Sequence, residues 1–412
     1  MLPLHTLLAA SIAVASPSED ARSASLAQRL DAVIDTAIED ARIVGAVVLV
    51  KHAGETVYHR AAGMADREAQ RPIQRDSVFR LASVSKPIVT VAALRLVEQG
   101  RLGLDDPVTR WIPGFVPTLA DGTHVDVTVH HLLTHSAGLG NPGAEPSNGI
   151  YHQLGVSDGL DRSGITLEEN VSRIGRAPLL FAPGTGWRYS LSIDVLGDVV
   201  ARAYGDTLDA AVEALVTVPL GMSDTRFWTP PSTRLAVPYV DARPQPLRME
   251  GKTTVPLPEG LGFDLVFDPE RAFDTTSFPS GGAGMVGTAD DVARLLETFH
   301  GRDGSLLGIA TARSAMRDHI GIQAGTQGPG WGFGYGGAVL GDPELAQSPQ
   351  SVGTMQWGGV YGHTWFVDPA QGWTVVILTN TAFEGMSGAF PREVRDAVYG
   401  RPSQPGRRPD AE

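Results

Sequence analysis

The chain has 412 residues, 42% hydrophobic and 19% charged, with a formal net charge of −13. That size suits one large domain or two subdomains of a soluble globular protein. The acidic balance argues against nucleic acid and anionic membrane surfaces as partners, since both call for basic patches. There are no cysteines, which removes disulfides, thiolate metal sites and cysteine nucleophiles together.

Met1 to Ala15 is apolar apart from His5, Thr6 and Ser11, and Ala13-Val14-Ala15 before a polar stretch has the form of a cleavage site. No Lys or Arg precedes Arg22, so a positive leader region is missing. Residues 1–23 are open between a signal peptide, which implies a periplasmic or secreted protein, and a disordered extension of a cytoplasmic one. No other apolar stretch approaches the ~20 residues of a membrane span.

Ala24 to Arg42 reads as an amphipathic helix with Leu26, Leu30, Val33, Ile34, Ala37 and Ile38 on one side. Val44 to Lys51 and Glu55 to Ala61 are β-rich runs around Ala53-Gly54, hence a hairpin. A helix from Ser83 to near Gly100 follows, then helical stretches at Thr128–Ser136, Leu167–Gly175, Ile193–Tyr204 and Leu208–Val216. Thr288 caps a helix over Val292 to His300. Thr364–Val367 and Trp373–Thr379 form a second strand–turn–strand unit, and a last helix covers Pro391 to Tyr399. Strands at both ends with helices between predict an α+β fold, one antiparallel sheet built from both chain ends beside a mainly helical subdomain. The predicted division is 24–80 with 285–400, 81–284 as the helical part, and 401–412 as a polar tail.

Ser83-Val84-Ser85-Lys86 places a hydroxyl and an amine on one helix face. Pro87 is tolerated only in a first turn, so the helix begins close to Ser83 and the serine stands among unpaired backbone N–H groups. Lysine occurs only at positions 51, 86 and 252. A lysine can lose its proton when buried, whereas arginine cannot. Ser83 is therefore a candidate nucleophile and Lys86 its partner. An activated serine also needs a second proton carrier and an oxyanion hole. Tyr189, between the Pro183-Gly184-Thr185-Gly186 loop and a helix, is a candidate for the first. Trp357-Gly358-Gly359-Val360 supplies a glycine-rich edge strand that can lie close to a ligand.

Two other patterns carry competing chemistry. Gly155-Val156-Ser157-Asp158-Gly159 matches the nucleophile elbow of α/β-hydrolases, but no buried strand precedes it and no helix follows. His130, His131 and His135 are spaced like helical metal ligands, yet no glutamate stands between His131 and His135, and they read as helix surface with local hydrogen bonding.

The ordered set of Ser-x-x-Lys, Tyr189-Ser190-Leu191 and Trp357-Gly358-Gly359 resembles the family VIII carboxylesterases, serine esterases on the class C β-lactamase fold. Leu132 to Leu139 and Ser280-Gly281-Gly282-Ala283-Gly284 support it, and the likeness runs from about Leu26 to Tyr399. It implies acylation of Ser83, activation by Lys86, proton shuttling by Tyr189, and an oxyanion hole from the N–H groups of Ser83 and Val360. It also implies that Trp357 to Gly359 replaces the Lys-Thr-Gly of the lactamases and Leu191 their asparagine. Both changes make the pocket more apolar and favour neutral esters; Lys252-Thr253-Thr254 is the nearest string and lacks the glycine.

The expected activity is hydrolysis of short-chain carboxylic esters without metal or cofactor. A β-lactamase or D-amino-acid-specific peptidase, an acyltransferase and a non-catalytic binding protein are the alternatives on the same fold. Trp357, Tyr361, Trp365 and the Phe263–Phe278 loop are expected to line the acyl pocket. The partner is a small-molecule ester, and oligomeric state is left open.

Overall fold

In a computed structural model, residues 19–257, 263–302 and 304–401 are described. Of residues 1–23, read as a leader or extension, those up to 18 lie outside them, as does the tail from 402, while Glu19 onward already belongs to the first helix. The centre of the fold is an eight-stranded sheet: β1 (Gly45–His52), β2 (Glu55–Asp66), β3 (Arg71–Pro72), β4 (Trp331–Phe333), β5 (Ala338–Leu340), β6 (Met355–Gly359), β7 (His363–Asp368) and β8 (Trp373–Thr379). They lie in the order β4-β5-β6-β7-β8-β1-β2-β3, every pair antiparallel. The two chain ends meet in the β1–β8 pair, where Val48 faces Ile377. Both predicted hairpins are present; β2 runs past Ala61 to Asp66.

Period-two alternation sorts the strand residues between two cores. Ala46, Val48 and Val50 of β1, with Phe366, Val375 and Ile377, pack against Leu30, Ile34, Phe390 and Val394 of the first and last helices. Val47 and Leu49, with Trp365, Val376 and Leu378, face the larger core that takes in the central helices. Burial on both faces explains why these strands read as near-continuous apolar runs. Each buried aliphatic side chain contributes roughly 1.5–3 kcal/mol.

The first helix spans Glu19–Glu39 and stops before the predicted Arg42. Ala41 adopts a left-handed φ of 52°, with Ala41 N–H bonded to Ile38 and Arg42 N–H to Ala37. This is a Schellman end made without glycine, so the sequence carried no stop signal. The serine helix, Ser85–Glu98, ends as expected: Gly100 has φ 68° and Arg101 N–H returns to the Leu96 carbonyl. Thr288 Oγ1 accepts from Asp291 N–H and caps Ala289–Glu297.

The region 81–284 is helical in its first part, with Val129–Leu133, Leu167–Arg176 and Ser192–Tyr204 around the serine helix. It also holds a two-stranded hairpin, Thr253–Pro256 with Asp264–Phe267, that periodicity did not reveal. No helix among the described residues is long and apolar enough to cross a membrane.

Candidate active site

Pro87 falls in the first turn of Ser85–Glu98, and Ser83 sits in the short 3-10 turn Ala82–Val84 that leads into it. The turn is entered through Ala82, a buried residue with φ 45°. A left-handed alanine costs about 1–3 kcal/mol and persists only where its surroundings fix it. Here Leu81 N–H bonds to Met285 O, and His363 Nε2 donates to Arg80 O at 2.8 Å. The serine that follows lines a cleft of about 720 Å³.

Three predicted side chains converge there. Lys86 Nζ donates to Ser83 Oγ at 3.2 Å, and the Tyr189 hydroxyl donates to the same oxygen at 2.7 Å. Lys86 is only 7% exposed, and its second hydrogen bond, 2.7 Å, goes to the Gly282 carbonyl. The ammonium also stands 4.7 Å from the centroid of the Tyr189 ring. Tyr189 is reached from the loop before Ser192–Tyr204, as expected.

Trp357, Gly358 and Val360 line the cleft. Gly359, two residues on from Trp357, abuts the serine turn instead: a Cβ there would lie 2.5 Å from the Leu81 carbonyl oxygen. Beyond Gln356, β6 pairs only with β7, which leaves the edge at Trp357 to Gly359 open. Trp357 packs against Tyr189 at 5.0 Å and edge-on to Phe333 at 5.3 Å. Leu191, Leu265 and Phe263 complete much of the apolar wall. Two expected pocket aromatics are elsewhere. Trp365 is the cross-strand partner of Trp357 but one strand further into the sheet, and is fully buried. Tyr361 turns into a separate cluster against Phe267, at 4.9 Å.

His135 departs from the helix-surface reading. The helix ends at Leu133, and His135 is buried with φ 55° and its ring 5.0 Å from that of Tyr189. Its Nδ1 accepts from Ser190 N–H, so the neutral ring carries its proton on Nε2. Burial, and then the Lys86 charge, hold its pKa well below the ordinary value. His130 bonds to the Tyr335 hydroxyl and His131 completes a capping box with Thr128. Among the described residues no group of three or more His, Asp or Glu is placed to hold a metal ion. Ser157 is a loop staple: its hydroxyl donates to Asp161 and accepts from Gly159 N–H. Lys252 is exposed and does not line the cleft.

Sequence reasoning did not find the Gly282 carbonyl, the packing role of His135, or Asp158. This last carboxyl lines the cleft, and burial, with Asp161 nearby, pushes it up to about 7. Ser280–Gly284 was noticed as a pattern without a role.

The β-lactamase family model matches residues 30–399, and the chain belongs to that family. Within it, the chain is of the family VIII carboxylesterase type. It is 56% identical over 379 residues to Esterase EstB of Burkholderia gladioli, covering 92% of this chain and 96% of that protein. It is 30% identical over 379 residues to the lovastatin esterase of Penicillium rubens, covering 82% and 89%. The solved structure of EstCE1, described as a hydrolase with promiscuous acyltransferase activity, matches with a TM-score of 0.91 at 49% identity, covering 92% of this chain and all of that one.

Proposed function

We propose that this carboxylesterase cleaves short-chain esters through an acyl-enzyme on Ser83. The observation that carries the reading is the convergence of Lys86 Nζ and the Tyr189 hydroxyl on one serine oxygen. A hydroxyl oxygen can accept from both and still hold its own proton, so either partner, once deprotonated, can receive that proton. In acylation Ser83 Oγ bonds to the ester carbonyl carbon and its proton passes through Lys86 and Tyr189 to the departing alkoxide. In deacylation the same pair takes a proton from water, which displaces the acyl group and restores Ser83. The N–H groups of Ser83 and Val360 are the donors assigned to the oxyanion, a task worth about 3–4 kcal/mol per donor.

The apolar wall of Trp357, Leu191 and Leu265 supports a neutral acyl group. A β-lactam needs its carboxylate held, and an indole at position 357 offers no charge. Turnover of p-nitrophenyl butyrate and of a cephalosporin by the wild type, Ser83→Ala and Ser157→Ala tests the reading. The expected result is fast ester hydrolysis, slow β-lactam hydrolysis, and a loss of roughly 10⁴-fold or more only in Ser83→Ala. Full activity in Ser83→Ala would overturn it, and efficient cephalosporin hydrolysis would replace the esterase with a lactamase.

A further inference from the structure

Lys86 is anchored at two points, and the shorter bond is the one to Gly282 O rather than to Ser83. What fixes that carbonyl therefore fixes the amine. Gly282 lies in a tight strap, Ser280–Gly284, laid directly across the first turn of the helix Ser192–Tyr204. A Cβ on Gly281 would fall 2.9 Å from Ile193 O, and one on Gly282 would fall 2.4 Å from Asp194 Oδ2. Only glycine permits this approach.

Asp194 holds the strap from below. It is 1% exposed; its Oδ1 accepts from Ser280 Oγ at 2.6 Å and from Gly282 N–H at 3.3 Å, and Ser280 Oγ in turn accepts from Ala283 N–H. Arg271 holds the flanks, donating to the carbonyls of Phe278 and Gly284. The other Asp194 oxygen is buried without a hydrogen-bond partner. A buried carboxyl is expensive to keep. Burial raises its pKa, opposed by the Ser280 hydrogen bond and by the nearby Lys86 and Arg271 charges. An apolar side chain of the same size would avoid that cost and lose both strap contacts.

We propose that Asp194 is a positioning residue for catalysis: through Ser280 Oγ and Gly282 N–H it sets the carbonyl that aims Lys86 Nζ at Ser83. This rests on the Ser83 reading above. Tyr189 enters the site from the loop leading into the same helix, so one helix start presents one proton carrier and anchors the other. The two then keep their spacing at the serine as a unit.

The test uses Asp194→Asn, Asp194→Ala, Ser280→Ala and the Ala/Ala double variant. For each, kcat and KM for p-nitrophenyl butyrate are measured across pH 5.5–10, with thermal unfolding alongside. Asparagine keeps an acceptor at Oδ1 and should stay within about threefold of wild type. Asp194→Ala should lose roughly 30-fold or more in kcat with little change in KM, and its pH–rate profile should shift because the Lys86 anchor is gone. Ser280→Ala should fall in the same direction by roughly fivefold, and the double variant should be no worse than Asp194→Ala, since both act through one strap. A folded Asp194→Ala or Ser280→Ala with wild-type kcat and pH profile would overturn the proposal, as would an Asp194→Asn as damaged as the alanine variant. If Asp194→Ala does not fold, Ser280→Ala decides. Failure of the underlying reading is distinguishable, because it appears as retained turnover in Ser83→Ala.

Discussion

Gly359 and Leu81 are in backbone contact: a Cβ at position 359 would fall 2.5 Å from the Leu81 carbonyl oxygen. The edge of β6 thus presses on the turn that presents Ser83. It brings Val360, the residue after the strand, beside the nucleophile. Gly359→Ala should push strand and turn apart, costing about 1–3 kcal/mol of stability and lowering kcat by roughly tenfold or more. Gly114→Ala, where nothing stands within 4 Å of the added carbon, is the control and should be silent in both assays.

The proton carriers should respond differently to conservative change. Tyr189→Phe keeps the ring against Trp357 and removes only the hydroxyl, so kcat should fall by roughly 10²–10⁴ with KM nearly unchanged. Lys86→Arg keeps a positive charge that cannot be given up. Steady-state kinetics should show it as damaged as Lys86→Met. Recovery of activity in the arginine variant would mean that Lys86 serves only as a fixed charge.

Ser157 should matter for stability and not for chemistry. Its hydroxyl bonds to Asp161 and Gly159, and its backbone pairs with the Asn170 amide. Ser157→Ala leaves buried partners unsatisfied and should cost about 1–3 kcal/mol in urea unfolding, with kcat within twofold of wild type or so.

His363 gives the fold an acid limit. Its Nε2 donates to Arg80 O while Nδ1 is buried without a partner, and burial lowers its pKa to about 4. A depressed folded pKa means that the neutral ring's stabilisation is complete above the unfolded value near 6.5. It is lost as pH falls from there toward 4, by up to about 3 kcal/mol. His135 is shifted in the same direction. Denaturant midpoints at pH 7.5, 5.5 and 4.5 should drop steeply for wild type and less so for His363→Gln. Parallel curves would remove His363 from the explanation.

Trp357 forms one wall of the acyl site and packs on Tyr189. Trp357→Ala should open that wall and move the preferred p-nitrophenyl ester toward longer chains. An unchanged chain-length profile would place the acyl group elsewhere in the cleft.

The parts of the site that were legible in the sequence are those fixed by local rules. Helical spacing and Pro87 locate Ser83 and Lys86 within one turn, and the loop–helix junction locates Tyr189. The two hairpins at the middle of the sheet were legible because β1, β7 and β8 are apolar on both faces and end in clear turns; the short strands β3, β4 and β5 were not. What escaped depends on contacts between distant segments. Nothing near Gly282 in sequence indicates that its carbonyl meets Lys86, 196 positions away. His135 reads as part of a helix running to Ser136, but the chain turns left-handed there without a glycine to announce it. Trp365 was misplaced because its proximity in sequence to Trp357 hid the one-strand step that carries it into the core.

The central claim, an acyl-enzyme on Ser83, is tested most directly by intact-protein mass spectrometry with peptide mapping after brief mixing with p-nitrophenyl butyrate. The account predicts a butyryl adduct on the peptide that contains Ser83, absent in Ser83→Ala. An adduct on the Ser157 peptide, or rapid turnover by a Ser83→Ala enzyme that carries no adduct at all, would contradict it.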